Sequence, residues 1–244
     1  MKVALMSDIH ANVTALQAVL SDLEHQGDID AYVLLGDMVN YGPRPNETID
    51  IIRALPKQKI LVNLWGNHEY SIFGGSLERF ATDRGRQVLQ FTNSILTKDS
   101  KDYIDREMDH KGTCSKEIDN KEFLFMHGSM DDPFWGKFGV EGMNDARFAR
   151  FDYVISAHSH VPHYVEFFFA SDNEQYRNKK RTVFINPGSV GQPRNHNPYA
   201  QYGILDTQTQ SYEHRSVPYD IEQEQALFDL RVDSFYKERL KKGI

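Results

Sequence analysis

The sequence predicts a protein of the α/β class. Short apolar runs of strand length alternate with helical stretches in the first 65 residues, strand-like runs dominate the second half, and polar residues directly follow several predicted strands. The 244 residues are 40% hydrophobic and 26% charged, as in ordinary globular proteins. We expect a single domain over residues 1–244, because no repeat, low-complexity segment or clear linker interrupts the chain.

The first half of the chain carries the strand–helix alternation. Three short apolar runs have the length of buried strands: residues 3–7, 31–35 and 60–64. Between them, Asn12 and Asn46 each precede apolar residues at helical spacing and are expected to cap a helix. Gly27 and Pro56 are expected to end these two helices.

Residues 70 to about 120 are more polar and are expected to be mainly helical. Strand-like runs follow at residues 122–126, 153–157, 164–170, 182–185, 201–206 and 211–217. Asp220 is expected to cap a C-terminal amphipathic helix within residues 220–244, which carries Leu227, Leu230 and Phe235 on its apolar face.

Composition limits the classes of function. The N-terminal apolar run is too short for a signal peptide, and no stretch approaches the roughly 18 apolar residues of a membrane span. The single cysteine, Cys114, fits a reducing cytoplasm, which we expect as the location. The formal net charge of −7 argues against nucleic acid as a partner, although bound metal ions would make one pocket locally positive.

Polar side chains suited to metal ligation follow five of the predicted strands. They are Asp8 and His10, Asp37, Asn67 and His68, His127, and His158 and His160. In open α/β sheets, sites gather beyond the carboxyl ends of the strands. Carboxylate, imidazole and amide oxygen together suit manganese, iron, cobalt, nickel or zinc. Each motif alone has a structural explanation, such as a turn or a helix cap, but these explanations do not easily account for the whole set.

These motifs resemble one family. The series Asp8-Ile9-His10, Gly36-Asp37, Gly66-Asn67-His68-Glu69, His127-Gly128 and Ala157-His158-Ser159-His160 looks like the calcineurin-like metallophosphoesterase superfamily. The later run Asn186-Pro187-Gly188-Ser189-Val190-Gly191 resembles its branch of small bacterial and archaeal phosphodiesterases. The match extends from Val3 to about Asp206, with Ala157 standing where the family usually has glycine. The resemblance implies a four-layer α/β/β/α sandwich with two mixed β-sheets.

The resemblance also implies a site with two divalent or mixed-valence metal ions. Asp8, His10 and His160 would hold one ion, Asn67, His127 and His158 would hold the other, and Asp37 would bridge them. A hydroxide shared by the two ions would attack the phosphorus of a small phosphorylated or nucleotide-like substrate. His68 would face the substrate and assist the leaving group, which a nearby carboxylate would favour. The direction in which the adjacent Glu69 points is left open.

Two further residues are candidates for substrate contact. The segment 186–189 has the composition of a tight turn, and the resemblance places it near the active site. Arg194 and His196, which follow it, are expected to contact the departing phosphate.

Several alternatives stay open at this stage. One metal pair serves phosphodiesterases, phosphatases and pyrophosphohydrolases alike, so the sequence does not separate them. A non-catalytic metal-binding scaffold that keeps the fold and a two-metal nuclease are the rival functions. The physiological substrate, the native metals and assembly into a homo-oligomer are not determined by the sequence.

Overall fold

Two five-stranded mixed sheets form the centre of the fold. The computed structural model describes residues 1–176 and 178–244. The first sheet has the order β10-β9-β1-β2-β3. Its strands are β1 (Lys2–Met6), β2 (Ala31–Leu34), β3 (Ile60–Asn63), β9 (Ala200–Asp206) and β10 (Ser211–Val217). Strands β1, β2 and β3 are parallel, and β9 runs antiparallel to both β1 and β10.

The second sheet has the order β4-β5-β6-β8-β7. Its strands are β4 (Thr113–Ile118), β5 (Lys121–Met126), β6 (Tyr153–Ile155), β7 (His163–Ala170) and β8 (Lys179–Asn186). Strands β5, β6 and β8 are parallel, while β4 and β7 are antiparallel edge strands. Parallel strands end at the same edge of a sheet, so each sheet gathers the residues that follow its central strands at one edge.

The longer helices cover the outer face of the first sheet. The helices are α1 (Val13–Glu24), α2 (Pro45–Ala54), α3 (Asn67–Ile72), α4 (Asp83–Ile95), α5 (Lys98–Glu107), α6 (Ile221–Ala226) and α7 (Ser234–Glu238). The outer face of the second sheet is covered by loop residues and two 3-10 turns, at Val140–Gly142 and Ala146–Arg150. None of the helices in residues 1–176 and 178–244 is long and apolar enough to cross a membrane.

Three apolar layers hold these elements together. Val3, Val33 and Phe125 belong to the core between the two sheets, where the alternate face of each strand is buried. Leu16 and Ile52 pack on the outer face of the first sheet. Phe184, on the opposite face of the second sheet, packs under the 3-10 turns. The predicted α/β sandwich with two mixed sheets is confirmed.

The first two predicted helix caps have different outcomes. Asn12 caps α1, accepting a hydrogen bond from the backbone N–H of Ala15, as predicted. The prediction for Asn46 was wrong, because α2 begins at Pro45 and its cap residue is Arg44. The Asn46 side chain instead donates to the carbonyl of Ile95 and accepts from the N–H of Thr97, so it joins α2 to the α4–α5 connection.

The predicted C-terminal helix over residues 220–244 is broken. Asp220 caps α6 as expected, but α6 ends at Ala226 and α7 starts only at Ser234. Asp229 accepts a hydrogen bond from the N–H of Arg231, and Asp233 caps α7. These hydrogen bonds from backbone N–H groups to aspartate side chains compete with the backbone hydrogen bonds of a continuous helix, which explains the break. Leu230, placed on the apolar face by the prediction, is fully exposed.

The segment from residue 70 to 120 departs from the helical prediction in one place. Strand β4 (Thr113–Ile118) ends this segment and pairs with β5 along its whole length. β4 is an edge strand, and its residues 115–117 are polar and exposed. This segment therefore lacks the apolar run that identifies a buried strand in a sequence.

Candidate metal centre

The predicted metal ligands converge at one end of the two sheets. The ligand atoms of Asp8, His10, Asp37 and His160 all lie within 4.8 Å of one another. A second group, again within 4.8 Å, contains Asp37, His127 and His158. The Asn67 side-chain oxygen lies 3.2 Å from Nε2 of His127. The structure therefore brings together all seven residues, and both groups share Asp37.

The loops that carry these residues have an unusual backbone. Five of the seven adopt positive φ, namely Asp8 (51°), His10 (49°), Asp37 (53°), His158 (61°) and His160 (57°). Residues other than glycine rarely adopt this conformation, which costs about 1 kcal/mol or more each. Such strain persists where packing enforces it, and it clusters at functional sites.

Backbone carbonyls orient three of the imidazole rings. The Nδ1 atoms of His127 and His160 lie 2.7 and 2.6 Å from the carbonyl oxygens of Leu35 and Gln192. Nδ1 of His10 lies 3.4 Å from the carbonyl of Val39. A neutral imidazole that donates from Nδ1 presents a lone pair at Nε2. The second nitrogen of each ring is therefore left to act as an acceptor or a metal ligand, as in metal sites whose histidines are fixed by backbone carbonyls.

These Nε2 atoms face other acceptors. Nε2 of His160 lies 3.2 Å from Nε2 of His10 and 3.2 Å from Oδ1 of Asp8. Both carboxylate oxygens of Asp8 are buried without a hydrogen-bond partner among the described residues. Lone pairs that face one another in a buried site repel, and a buried charge without a partner is costly. Bound cations remove both penalties, so the donor set fits a metal site.

The pKa shifts in the metal-free protein also indicate that the buried carboxylates of the cluster need positive charge beside them. Burial raises the pKa of the Asp8 carboxyl to about 7. Burial also opposes the charged form of Asp37, but the neighbouring imidazoles of His127, His68 and His10 hold its pKa well below its usual range. Burial likewise disfavours His127 as a cation, yet the charge of Asp37 raises the pKa of His127 to about 9. In the absence of metal, a proton on His127 thus supplies part of the positive charge that the carboxylates demand.

Glu69 supports the loop of Asp37 and does not pair with His68. Its carboxylate accepts hydrogen bonds from the backbone N–H groups of Asp37, Met38, Val39 and Gly66, at 2.8 to 3.2 Å. A β-carbon on Gly66 would lie 2.1 Å from Oδ1 of Asp37, so only glycine permits this close approach.

His68 pairs with an amide instead of a carboxylate. The Asn40 amide nitrogen lies 2.6 Å from Nδ1 of His68, and the Thr92 hydroxyl donates to the Asn40 amide oxygen at 3.0 Å. A donor at Nδ1 leaves the proton of neutral His68 on Nε2, which lies 3.7 Å from Oδ2 of Asp37. Burial lowers the pKa of His68 to about 4, consistent with a neutral ring. Sequence reasoning missed Asn40, although its position three residues after Asp37 was a signal.

The turn at residues 186–191 braces the loop of Asp8 and His10. The Ser189 hydroxyl and the Gly191 N–H both donate to the carbonyl of Asp8, at 2.7 and 3.1 Å. The Asn186 amide donates to the carbonyl of Ala157, just before His158. A β-carbon on Gly191 would lie 1.7 Å from the carbonyl oxygen of Ile9, which explains the glycine. This turn thus lies beside the site and contacts loops from both sheets.

The two predicted substrate-contact residues are placed differently. The Arg194 N–H donates to the carbonyl of His160. Burial lowers the pKa of both His10 and His160, and the positive charge of Arg194 acts in the same direction. His196 is exposed, and its N–H donates to the carbonyl of Gly243 in the C-terminal segment. The structure therefore brings Arg194 to the cluster, while the recorded contact of His196 is with the C-terminal segment.

Comparison with known families decides to which family this chain belongs. The model of the calcineurin-like phosphoesterase superfamily domain matches residues 1–210 of this chain. The chain belongs to this superfamily. Members of the calcineurin-like phosphoesterases use divalent metals, and the cluster around Asp37 is a His/Asp site able to bind metal.

Three individual proteins are similar to this chain in sequence or in fold. An uncharacterized protein of Methanocaldococcus jannaschii is 30% identical over 228 residues, which cover 90% of this chain and 88% of the relative. A metallophosphoesterase from Sphaerobacter thermophilus is 28% identical with a TM-score of 0.77, and the match covers 100% of both chains. A hypothetical protein from Pyrococcus horikoshii shares the fold, with a TM-score of 0.79 at 21% identity over 100% of this chain and 98% of that one.

Proposed function

We propose that this calcineurin-like phosphoesterase is a binuclear metal-dependent hydrolase of a small phosphorylated or nucleotide-like compound, acting as a phosphodiesterase or phosphatase. The observation that carries the proposal is the contact between acceptors: His160 Nε2 lies 3.2 Å from Asp8 Oδ1, and no donor within the described chain satisfies that carboxylate. Only a cation stabilises such an arrangement without a change of protonation.

The arrangement of the ligand atoms in two groups supports the proposal that the site binds two metal ions. Asp8, His10 and His160 would hold one ion, and Asn67, His127 and His158 would hold the other. Oδ2 of Asp37 lies 3.8 Å from His10 Nε2 and 3.4 Å from His127 Nε2, so this oxygen stands between the two groups and is suited to bridge them. Bound ions would lower the pKa of a water molecule to provide the nucleophile and would neutralise charge on the phosphate oxygens.

The role proposed for His68 is hydrogen bonding to the leaving-group side of the substrate. Asn40 and Thr92 fix the ring, and the Nε2 proton is directed to the side of Asp37. A buried neutral donor stabilises charge that develops in the transition state without paying for its own reorganisation. Arg194, whose Nε is buried without a partner among the described residues, is the proposed cationic contact to the phosphate.

Metal analysis followed by a substrate panel tests the proposal. Purified protein should contain manganese, iron, cobalt, nickel or zinc, and chelation should abolish hydrolysis until one of these metals is restored. The panel compares 4-nitrophenyl phosphate, bis(4-nitrophenyl) phosphate, a cyclic nucleotide and a nucleoside diphosphate with each metal. Metal-loaded protein that hydrolyses none of these would instead favour a binding protein that retains the fold.

Linear DNA with manganese forms the last arm of the panel. Cleavage of DNA faster than of the small esters would replace the proposal with a nuclease. The net charge of −7 predicts the opposite order, because binding a polyanion generally requires a basic face.

A further inference from the structure

Three other rings surround the ring of His68. Their centroids lie 4.5 Å (Tyr41), 4.9 Å (His10) and 5.2 Å (Phe80) from the His68 centroid, and each of the three meets His68 edge to face. The Asn40 amide holds the Nδ1 side of the same imidazole. The orientation of His68 therefore depends on two consecutive residues, Asn40 and Tyr41, as well as on the two other rings.

The loop of residues 40–42 has a strained backbone and lies against His10. Asn40 and Tyr41 have φ angles of 74° and 67°, which residues other than glycine rarely adopt. The Gly42 N–H donates to the carbonyl of His10 at 3.0 Å, and a β-carbon on Gly42 would lie 2.2 Å from that oxygen. A strained backbone persists only where the surrounding structure enforces it. The residues that pack against Tyr41 therefore help to keep this loop, and with it the Asn40 amide, in place.

The C-terminal segment, residues 219–244, packs against Tyr41. The ring of Tyr236 in α7 is stacked on the ring of Tyr41, with 4.6 Å between the centroids and an interplanar angle of 16°. Tyr236 is buried and belongs to a small apolar cluster with Val88 of α4, against which Tyr41 packs. The Tyr41 ring thus lies between a ring of the C-terminal segment and the ring of His68.

Two arginines hold α7 at this place. The guanidinium carbons of Arg84 in α4 and of Arg239 lie 3.8 and 4.9 Å from the centroid of the Phe235 ring. Phe235 packs edge to face against Tyr236, with 5.4 Å between the centroids. A cation over an aromatic ring is attracted to it, so the contact of Arg84 joins α7 to α4.

Hydrogen bonds join α6 to the first half of the chain and to α7. The buried carboxylate of Glu224 accepts from the Thr14 hydroxyl at 2.6 Å and pairs with Arg44. The Gln225 amide donates to the carbonyl of Lys237 at 2.7 Å. The C-terminal segment is thus attached to α1, to the start of α2 and to α4, although it follows the part of the chain that the superfamily model matches.

We propose that Tyr41 and Tyr236 are positioning residues for His68, so that attachment of the C-terminal segment keeps this imidazole in the orientation in which it serves the leaving group. Tyr236 acts through Tyr41. Without the stack, the strained loop of residues 40–42 is free to relax, and the Asn40 amide no longer fixes the ring and the tautomer of His68. This proposal rests on the role of His68 in the phosphoesterase function proposed above.

Removal of the stacked ring tests the proposal by kinetics. Tyr236→Ala should lower kcat about tenfold on an alkyl phosphate and less on 4-nitrophenyl phosphate, because a contact that orients the leaving-group donor is lost. KM and the metal content should stay close to the wild-type values, because the predicted metal ligands are retained. Tyr236→Phe, which keeps the ring, should restore kcat. Loss of metal in Tyr236→Ala would overturn the proposal, because the stack would then act on the ligand His10.

Two more variants separate positioning from general packing. Phe228→Ala is the matched control, because it removes a ring from the same apolar cluster and leaves the Tyr41–Tyr236 stack in place, so its kcat should equal that of the wild type. Tyr236→Leu, which keeps an apolar side chain in the cluster, should lower kcat as Tyr236→Ala does and replaces that variant if it does not fold. An equal loss of kcat in Phe228→Ala and Tyr236→Leu would overturn the proposal, because packing of the cluster would then explain both.

A double-mutant cycle shows whether the effect passes through His68. In the His68→Ala background, Tyr236→Ala should cause no further loss of kcat, because the group that it positions is already absent. A further loss as large as in the wild-type background would overturn the proposal.

A measurement on metal-free protein separates this proposal from the catalytic one. Nitrogen-15 NMR signals of the imidazole nitrogens distinguish the two neutral tautomers, and the His68 signals are identified by their absence from His68→Ala. Wild type and Tyr236→Phe should show His68 with its proton on Nε2, whereas Tyr236→Ala should show a mixture of tautomers. This result in a protein that hydrolyses no ester with any metal would refute only the proposed function. Identical His68 signals in all three proteins would refute the positioning role.

Discussion

Two aspartates of this protein, Asp8 at the metal cluster and the partly buried Asp22, have different surroundings. At the metal cluster, both oxygens of Asp8 lack a hydrogen bond within the described chain, although the residue is fully buried. On the helical side of the first sheet, Asp22 accepts from the Tyr202 hydroxyl at 2.6 Å and from two nitrogens of Arg215 at 2.7 and 2.9 Å. The Asp22 carboxylate thus has hydrogen-bond partners on both oxygens, whereas the Asp8 carboxylate has none within the described chain.

The difference separates a structural carboxylate from a ligand. The contact of Asp22 joins α1 to β9 and β10 and needs nothing from outside the chain, so its hydrogen bonds contribute to the stability of the fold. Asp8 lowers the stability of the metal-free fold, because burial penalises its charge. The Asp8 carboxylate, which is unsatisfied in the absence of metal, is therefore one of the groups we assign to binding it.

The largest effect should follow removal of charge at the centre of the cluster. Asp37→Asn is expected to reduce turnover at least about 1000-fold and to lower the bound metal, because the shared oxygen loses its charge. Elemental analysis and kcat/KM on 4-nitrophenyl phosphate measure both effects. Asp22→Asn is the matched control and should keep metal and turnover, and near-normal metal content and turnover in Asp37→Asn would refute the bridging role.

His68→Ala should slow turnover without loss of metal. We expect a decrease of about 100-fold or more in kcat, greater for substrates with poor leaving groups, because the donor to the leaving-group side is lost. The ratio of rates on 4-nitrophenyl phosphate and an alkyl phosphate measures this dependence. Loss of metal in His68→Ala would instead identify His68 as a ligand.

Metal-free protein should become less stable as pH rises from about 6.5 to 9. Below pH 6.5 the lowered pKa values of His10, His68, His158 and His160 act in the opposite direction, because there the unfolded chain binds more protons at these rings than the folded protein does. The pKa of Asp8 is raised from 3.8 to about 7, so above pH 3.8 the unfolded chain ionises first and its ionisation progressively favours unfolding. The pKa of His127 is raised from 6.5 to about 9, so its stabilising contribution is full below pH 6.5 and is lost as pH rises through 9. Thermal unfolding of chelated protein measures the trend.

Metal should remove or reverse this trend, because the cation binds best to deprotonated ligands. Asp8→Asn should remove the part of the loss of stability that the Asp8 carboxyl contributes up to about pH 7. A Tm of chelated protein that rises steadily from pH 7 to pH 9 would contradict the assignment of Asp8 and His127 as the groups that dominate this range.

Asn40→Ala should have a smaller effect on turnover than His68→Ala. The ring would remain but would lose the amide that fixes its orientation and tautomer, so we expect about a tenfold decrease in kcat. Asn40→Asp replaces the donor at Nδ1 with an acceptor, so neutral His68 would carry its proton on Nδ1, and turnover should stay low except at acidic pH, where the charged ring keeps its Nε2 proton. The pH profile should therefore differ from that of the wild type, because the negative charge raises the pKa of His68. Equal pH profiles in Asn40→Asp and wild type would argue against this contact.

The smallest effect is expected outside the site. Arg215→Gln should lower the free energy of unfolding by about 1–2 kcal/mol at neutral pH and leave kcat/KM unchanged. Hydrogen bonds from Arg215 hold the pKa of Asp22 below 3.8, so their contribution is full above that pH and is lost as pH falls through the folded pKa. Urea unfolding at pH 7 and pH 3 should show a smaller difference between variant and wild type at the lower pH.

Much of the fold was predictable because the relevant signals are local. The apolar runs of β1, β2 and β3 are short and are followed by polar residues, as buried parallel strands require. Strand β4 and the break between α6 and α7 were not predicted. An exposed edge strand has no apolar run, and the break is produced by the side chains of Asp229 and Asp233 in competition with the helix.

The sequence by itself determined which residue types stand at the carboxyl ends of the strands, and parallel strands then bring Asp8 and Asp37 to one edge of the first sheet. Only the tertiary structure decided which nitrogen or oxygen of each side chain is held by a hydrogen bond and which is left to bind metal or substrate. The carbonyls that hold His127 and His160, the Asn40 amide at His68 and the meeting of Arg84 with Arg239 all join residues far apart in the chain. Such contacts depend on how loops pack, which periodicity and local spacing do not encode.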